Sequence, residues 1–187
     1  MTSKLKTDVL ETGSGSGTIA LNNQLSGMTA ESMPSGSVLQ VVSTTKTDTF
    51  STTSTSFIDV TGVTATITPS STSSKILVTL TTVYSASATG YGAVVRVLRG
   101  STPIGGGTAS GNRPSSFSSQ TFKDIETAES AGFNYLDSPA TTSATTYKLQ
   151  ALVRSSQTVY FGRTANDRND IFMGRTSSTI TLTEIKG

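Results

Sequence analysis

At 187 residues and 19.4 kDa, the chain has room for one domain of about 130 to 150 residues and an appendage, enough to bury a core without covalent help. It contains no His, Cys or Trp, and about a third of its positions are Ser or Thr. That excludes the usual general base, the thiol nucleophile and the commonest transition-metal ligands, argues against an enzyme, and gives no disulfide framework. The net charge of +2 comes from 14 basic and 12 acidic residues scattered along the chain, without the clustered basic face that phosphate contact requires, so no nucleic-acid partner is expected.

The chain divides at Pro34. Residues 1–34 read as an extended arm. Its first twelve residues include Lys4, Lys6, Asp8 and Glu11 and lack the apolar core of a secretory signal, so no signal peptide is expected. Two short strand-like pieces, Leu5 to Leu10 and Gly17 to Leu21, flank the Gly/Ser stretch Gly13 to Gly17. They hold too few apolar residues for a core, so their order should depend on pairing with another arm or a docking partner. Leu5, Val9, Leu10, Ile19 and Leu21 are the candidate docking residues.

Residues 35–187 carry many short strand patterns separated by turn signals, which predicts an all-β, antiparallel sandwich. In chain order the expected strands are Val38 to Val42, Ser56 to Val60, Val63 to Ile67 and, after the loop-forcing cluster Pro69 to Ser74, Lys75 to Tyr84. The last has apolar residues on both faces, with Ile76, Val78, Leu80 and Tyr84 against Leu77 and Val83, as expected of a central strand or one that meets a neighbouring subunit. Gly92 to Arg99 follows, then a glycine-rich turn region from Gly100 to Gly111. Ser116 to Ile125, Gly132 to Leu136, Thr145 to Val153, Thr158 to Phe161 and Ser178 to Ile185 complete the set. A helical turn is expected only at Ala128 to Ala131. With nine or ten strands, a jelly roll is favoured over a seven-stranded immunoglobulin sandwich. No apolar run approaches the about 20 residues of a membrane span, so membrane insertion is not expected.

Few residue groups suggest chemistry. Asp124, Glu126, Glu129 and Asp137 lack the spacing logic of a glycosidase pair and read as solvated loop charges. Ser74-Lys75 has no oxyanion-hole context, and Gly105-Gly106-Gly107 is not followed by the Lys and helix of a phosphate loop. Asn166 to Asp170 is dense in oxygen ligands but does not match a calcium-loop spacing, so it reads as a polar turn. No catalytic, cofactor or metal site is expected. Receptor contact would fall on loops: Asn112 and Arg113 in the first, and Arg163, Asn166, Asp167, Arg168 and Asp170 in the second, where cations lie near Tyr160, Phe161 and Phe172.

Several stretches together resemble a known group. Lys4 to Glu11 with Gly17 to Leu21, Met33 to Val42, Tyr135 to Tyr147, Arg163 to Asp167 and Gly174 to Leu182 are similar to small tail-fibre or virion-appendage proteins of marine tailed phages, cyanophages in particular. The resemblance implies a homotrimer located in the virion and assembled in the host cytoplasm. Its arm would dock on other virion proteins, and a head similar to complement or tumour-necrosis-factor domains would serve host attachment, with a cell-surface glycan as a possible receptor. A capsid or neck decoration protein and a carbohydrate-binding module are the alternatives.

Overall fold

A computed structural model describes residues 29–90, 92–155 and 157–187. The five docking candidates of the arm lie outside them. Packing divides the chain between Met33 and Pro34, and the described part of the first unit is a single 3-10 turn, Ala30–Ser32.

The second unit is all-β. Its eleven strands are β1 (Val38–Lys46), β2 (Phe50–Thr52), β3 (Ile58–Ile67), β4 (Lys75–Ala86), β5 (Gly92–Arg99), β6 (Thr102–Ile104), β7 (Ser118–Thr121), β8 (Glu129–Asp137), β9 (Thr145–Val153), β10 (Val159–Phe161) and β11 (Ser178–Ile185). They form two antiparallel sheets. In the first, β4 pairs with β8 along one edge; β11 and β10 share its other edge, and β1 and β2 lie outside them. In the second, the order is β3, β9, β5, with β6 and β7 sharing the free edge of β5.

Period-two alternation decides which face of each sheet is buried. On β4, Ile76, Val78, Leu80 and Tyr84 are all at most 1% exposed, and on β9 Tyr147, Leu149, Ala151 and Val153 are equally buried. Side chains from both sheets belong to one core cluster, which places the sheets face to face. Each fully buried Val, Leu or Ile stabilises the fold by about 1.5–3 kcal/mol relative to its exposed state. An aromatic group fills one end of the core, where Tyr84 stacks on Phe161 at 5.5 Å and meets Phe122 edge-on at 5.6 Å.

Polar ties join the sheets at both ends of β4. At its C-terminal end the Tyr84 hydroxyl lies 3.0 Å from Ser118 Oγ of the opposite sheet. At its N-terminal end Asp137, paired with Ile76, is buried; it accepts hydrogen bonds from Tyr147 Oη at 2.7 Å and from Arg99 Nη1 at 2.8 and 2.9 Å. Both partners belong to the other sheet. A third buried group, Glu184, ties the 69–74 loop to β11 by accepting from the Ser70 N–H and hydroxyl, each at 2.7 Å, and from Gln40 at 2.5 Å. Burial pushes its carboxyl upward, but the neighbouring Ser74 hydroxyl, with the Gln40 and Ser70 donors, outweighs burial and holds it below the ordinary range.

Four expectations need correction. The pieces Ser56 to Val60 and Val63 to Ile67 belong to one strand, interrupted by a bulge. Val60 and Val63 are both buried although their positions have opposite parity, so the pairing register must slip between Asp59 and Thr64. Gly62, at φ +88°, supplies the left-handed turn that this slip needs. Ala128 to Ala131 is not helical, because Glu129 opens β8 and its ladder with Tyr84. The Gly100 to Gly111 region contains the strand β6, since Pro103 and Ile104 pair with Leu98 and Val97. The strand expected over Ser116 to Ile125 is only four residues long, ending where the Asp124 carboxylate begins to cap the turn that follows.

Removing the Asp137 carboxylate leaves a buried phenol and part of a guanidinium without a partner. Asp137→Ala should cost about 3 kcal/mol, the lower end of the range for a broken buried pair because Arg99 retains solvent access. At about 2–4 °C per kcal/mol the melting temperature should fall by roughly 10 °C, whereas a fall under 2 °C would exclude the tie.

Burial lifts the Tyr84 phenol from 10.0 to about 12, and burial followed by the Asp137 hydrogen bond lifts Tyr147 further. Both remain neutral in the fold while the unfolded chain ionises near pH 10. Their contribution is therefore complete below pH 10 and is lost as the pH rises toward 12. A melting series from pH 8 to 12 should fall above pH 10, less steeply in Tyr84→Phe.

Candidate functional site

β10 and β11 occupy the same edge of β4, and residues 162–177 are an excursion between them. Gly162, at φ +79°, turns the chain out of the sheet, donating its N–H to Val83 O at 3.1 Å and accepting from the Thr176 N–H at 3.1 Å. A Cβ there would sit 3.1 Å from Thr176 O, so the position favours glycine on both conformational and steric grounds. Ser85 Oγ donates to Arg163 O at 3.0 Å and pins the next residue.

The sequence candidates of this loop act largely on one another. Asp167, at φ +49°, receives Arg175 Nη1 at 2.6 Å and Arg163 Nη1 at 3.3 Å, while the Arg163 guanidinium lies over the Tyr160 ring at 3.9 Å. Asn166 donates its N–H to Ile125 O at 2.9 Å and its amide to Glu126 Oε1 at 3.0 Å. Arg168 reaches the same Glu126 oxygen at 2.9 Å. The 162–177 loop is thereby joined to the turn after β7. Asp124 fixes that turn by accepting from the Thr127 hydroxyl and the N–H groups of Thr127 and Glu126, and these donors, Thr127 foremost, hold its carboxyl below the usual range.

Asp170 accepts from the Phe172 N–H at 3.0 Å and turns the chain at the tip. The consequence is exposure of the apolar pair that follows. Ile171 is 91% and Phe172 88% exposed. Both large apolar residues of this tip therefore stand in solvent, packed on no part of the sandwich. The sequence reading singled out the polar members and Phe172 and not Ile171, because a strand-pattern search gives no signal for an isolated apolar residue in a turn.

Asn112 and Arg113 sit apart on the 105–117 loop. Arg113 closes that loop on itself, bonding Ser110 O and Oγ at 3.2 and 3.1 Å. Among the described residues, no hydrogen bond or ion pair joins them to the 162–177 group.

The outer face of the second sheet carries a different constellation. Asp59 accepts from Lys148 Nζ and Gln150 Nε2, each at 2.7 Å, and Gln150 Oε1 accepts from Arg96, whose guanidinium lies 3.7 Å from the Phe57 ring centre. Burial would raise the Asp59 carboxyl, yet the Lys148 and Gln150 donors hold it low. Beside it, the β3 bulge opens a groove of about 240 Å³ lined by Asp59, Val60, Thr61, Gly62, Thr64 and Lys148.

No protein-family model matches the chain, and no curated protein does. Among solved structures the chain is similar to a chain in "Structure of infectious bursal disease virus Gt strain", at 16% identity and a TM-score of 0.43, with 91% of this chain and 42% of that one covered. A chain of the Gx strain of the same virus gives 14% identity and a TM-score of 0.39, covering 91% and 46%. The chain spans less than half the length of either.

The ion-pair braces generate a test. Asp167→Ala removes the acceptor shared by Arg163 and Arg175, so trypsin should cut the 162–177 loop at least several-fold faster. The melting temperature should stay within a few degrees, because exposed pairs contribute about 0–1 kcal/mol. Unchanged cleavage would show that backbone bonds alone hold the loop.

Proposed function

We propose that this chain is a non-enzymatic structural protein of a virion, with a jelly-roll head that displays the 162–177 tip for contact. The observation that carries the reading is the strand order. If β1 with β2, β6 with β7, and β10 with β11 each count as one interrupted strand, eight positions remain in chain order. The first, eighth, third and sixth lie side by side in one sheet and the second, seventh, fourth and fifth in the other. This order matches a jelly roll of two Greek keys, a design used by capsid and lectin domains. Fold alone does not assign function; the exposed Ile171-Phe172 pair on a braced loop supports a role in contact.

The finer reading is a tail fibre or fibre-like appendage that docks through residues 1–34 and presents a homotrimeric head to the host. In a trimer, three weak contacts at the tips act together through effective concentration. Capsid or neck decoration uses the same parts without a receptor. A second reading, a glycan-binding module, is favoured by the Asp59–Gln150–Arg96–Phe57 network beside its groove, since planar polar groups near an aromatic ring suit sugar hydroxyls.

Immunogold labelling of virions with an antibody to this chain should place gold on the particle, and unlabelled particles would overturn the reading. Particles carrying Ile171→Ser with Phe172→Ser should adsorb to host cells at least about tenfold more slowly, with a stability change under about 0.5 kcal/mol because both residues are exposed. Unchanged adsorption by labelled particles would shift the role to decoration.

A further inference from the structure

The outer face of the second sheet carries a set of donors and acceptors built around the β3 bulge. Asp59, Gln150 and Arg96 stand abreast on β3, β9 and β5. Next to them the register slips, and Val60 to Val63 of β3 oppose Leu149 alone, so the ladder cannot pair every backbone group of this stretch. Val60 and Val63 are buried while Thr61, Gly62 and Thr64 are exposed, and the groove of about 240 Å³ is lined by this stretch. The bulge is held in place. The Lys46 side chain, only 6% exposed, packs against Gly62, where a Cβ would lie 3.3 Å from it. Asp59 and Lys148 both line the groove, and their 2.7 Å pair leaves hydrogen-bonding capacity unused. Lys148 gives one of its three N–H donors to Asp59 Oδ2, and each Asp59 oxygen, engaged once by Lys148 or Gln150, keeps a lone pair. Thr64 adds an acceptor, since its hydroxyl proton goes to Tyr147 O at 3.2 Å.

We propose that this groove binds one uncharged pyranose ring through two neighbouring hydroxyls, one accepting from Lys148 Nζ and the other donating to Asp59. The proposal rests on the second reading above, a glycan-binding module, and names its site and its ligand class. Geometry supplies the match. Neighbouring hydroxyl oxygens on a sugar ring stand about one hydrogen-bond length apart, as Lys148 Nζ and Asp59 Oδ2 do here. Such a diol offers both a donor and an acceptor, so it meets both members of the ion pair without separating them. Charge sets the class. A uronate carboxylate would gain at Lys148 and lose at Asp59, and an aminosugar cation the reverse, whereas a neutral ring meets neither repulsion. Thr61, Gly62 and Thr64 leave the rest of the wall uncharged, and the small volume suits a single ring. Because Gln150, Lys148 and the Lys46 contact hold the bulge and its carboxylate before any ligand arrives, little ordering entropy is lost on binding.

The test is a backbone amide NMR titration of the full chain with the neutral methyl glycosides of glucose, galactose and mannose, and with glucuronate and glucosamine as charged controls, each at millimolar concentration. At least one neutral glycoside should shift the amides of residues 59–64 and 148–150 in a saturable way, while those of the 162–177 loop stay in place and the charged sugars bind more weakly. Lys148→Met should weaken that binding by at least about tenfold, the loss of one charge-assisted hydrogen bond. Thr61→Trp should abolish it by filling the groove from an exposed position, with the ion pair left in place. The native titration stands alone if either variant fails to fold. Equal or tighter binding of a charged sugar in the groove, or native affinity in a folded Lys148→Met or Thr61→Trp protein, would overturn the proposal. Saturable shifts confined to other residues would overturn this site and leave a glycan-binding module standing, whereas no shift with any of the five sugars would defeat both. None of these outcomes depends on whether virions carry the chain.

Discussion

Strand β4 is the constraint on which the rest of the molecule depends. Both of its edges are paired, to β8 on one side and to β11 and β10 on the other, so every other strand of its sheet is placed directly or indirectly by its ladder. Its inner face gives Ile76, Val78, Leu80 and Tyr84 to the core. Its ends lie beside the two polar ties between sheets, Tyr84 with Ser118 and Asp137 with Tyr147 and Arg99. Its outer face presents Leu77, Thr79 and Thr81. One strand thus links hydrogen bonding, core packing and the exterior.

A scaffold fixed in this way can carry loops with little stability of their own. The 162–177 loop replaces a stretch of strand between β10 and β11, and its apolar tip gains nothing from burial. Gly162, Ser85 and the arginine pairs of Asp167 and Glu126 hold it instead. Exposed ion pairs are individually weak, but several of them in one short segment limit the conformations it can visit, and pre-ordering lowers the entropic cost of contact.

Much of the sandwich was legible in the sequence. Gly92 to Arg99, Thr145 to Val153 and Ser178 to Ile185 have apolar residues at strict alternation between turn signals, and each forms a strand with those bounds. Where alternation broke, the reading broke with it. The bulge at Gly62 reverses parity within β3 and made one strand look like two. Short strands such as β2 and β6 were missed because three residues carry no period, and their pairing comes from neighbours distant in sequence. The loop residues Arg163, Asn166, Asp167 and Arg168 were found as a polar cluster, but their mutual ion pairs depend on Glu126 and Arg175 and on folding that brings two loops together. Ile171 and Phe172 could be recognised as exposed only once the turn at Asp170 was known.

Native-state hydrogen exchange, resolved by residue, tests the central place of β4 most directly. The amides from Ile76 to Tyr84 should exchange only through global unfolding, with an opening free energy equal to that from denaturant melts, while those of the 105–117 and 162–177 loops open at a small fraction of it. Exchange along β4 at a free energy well below the global value, with β9 or β5 slower, would contradict the account and move the organising strand to the other sheet.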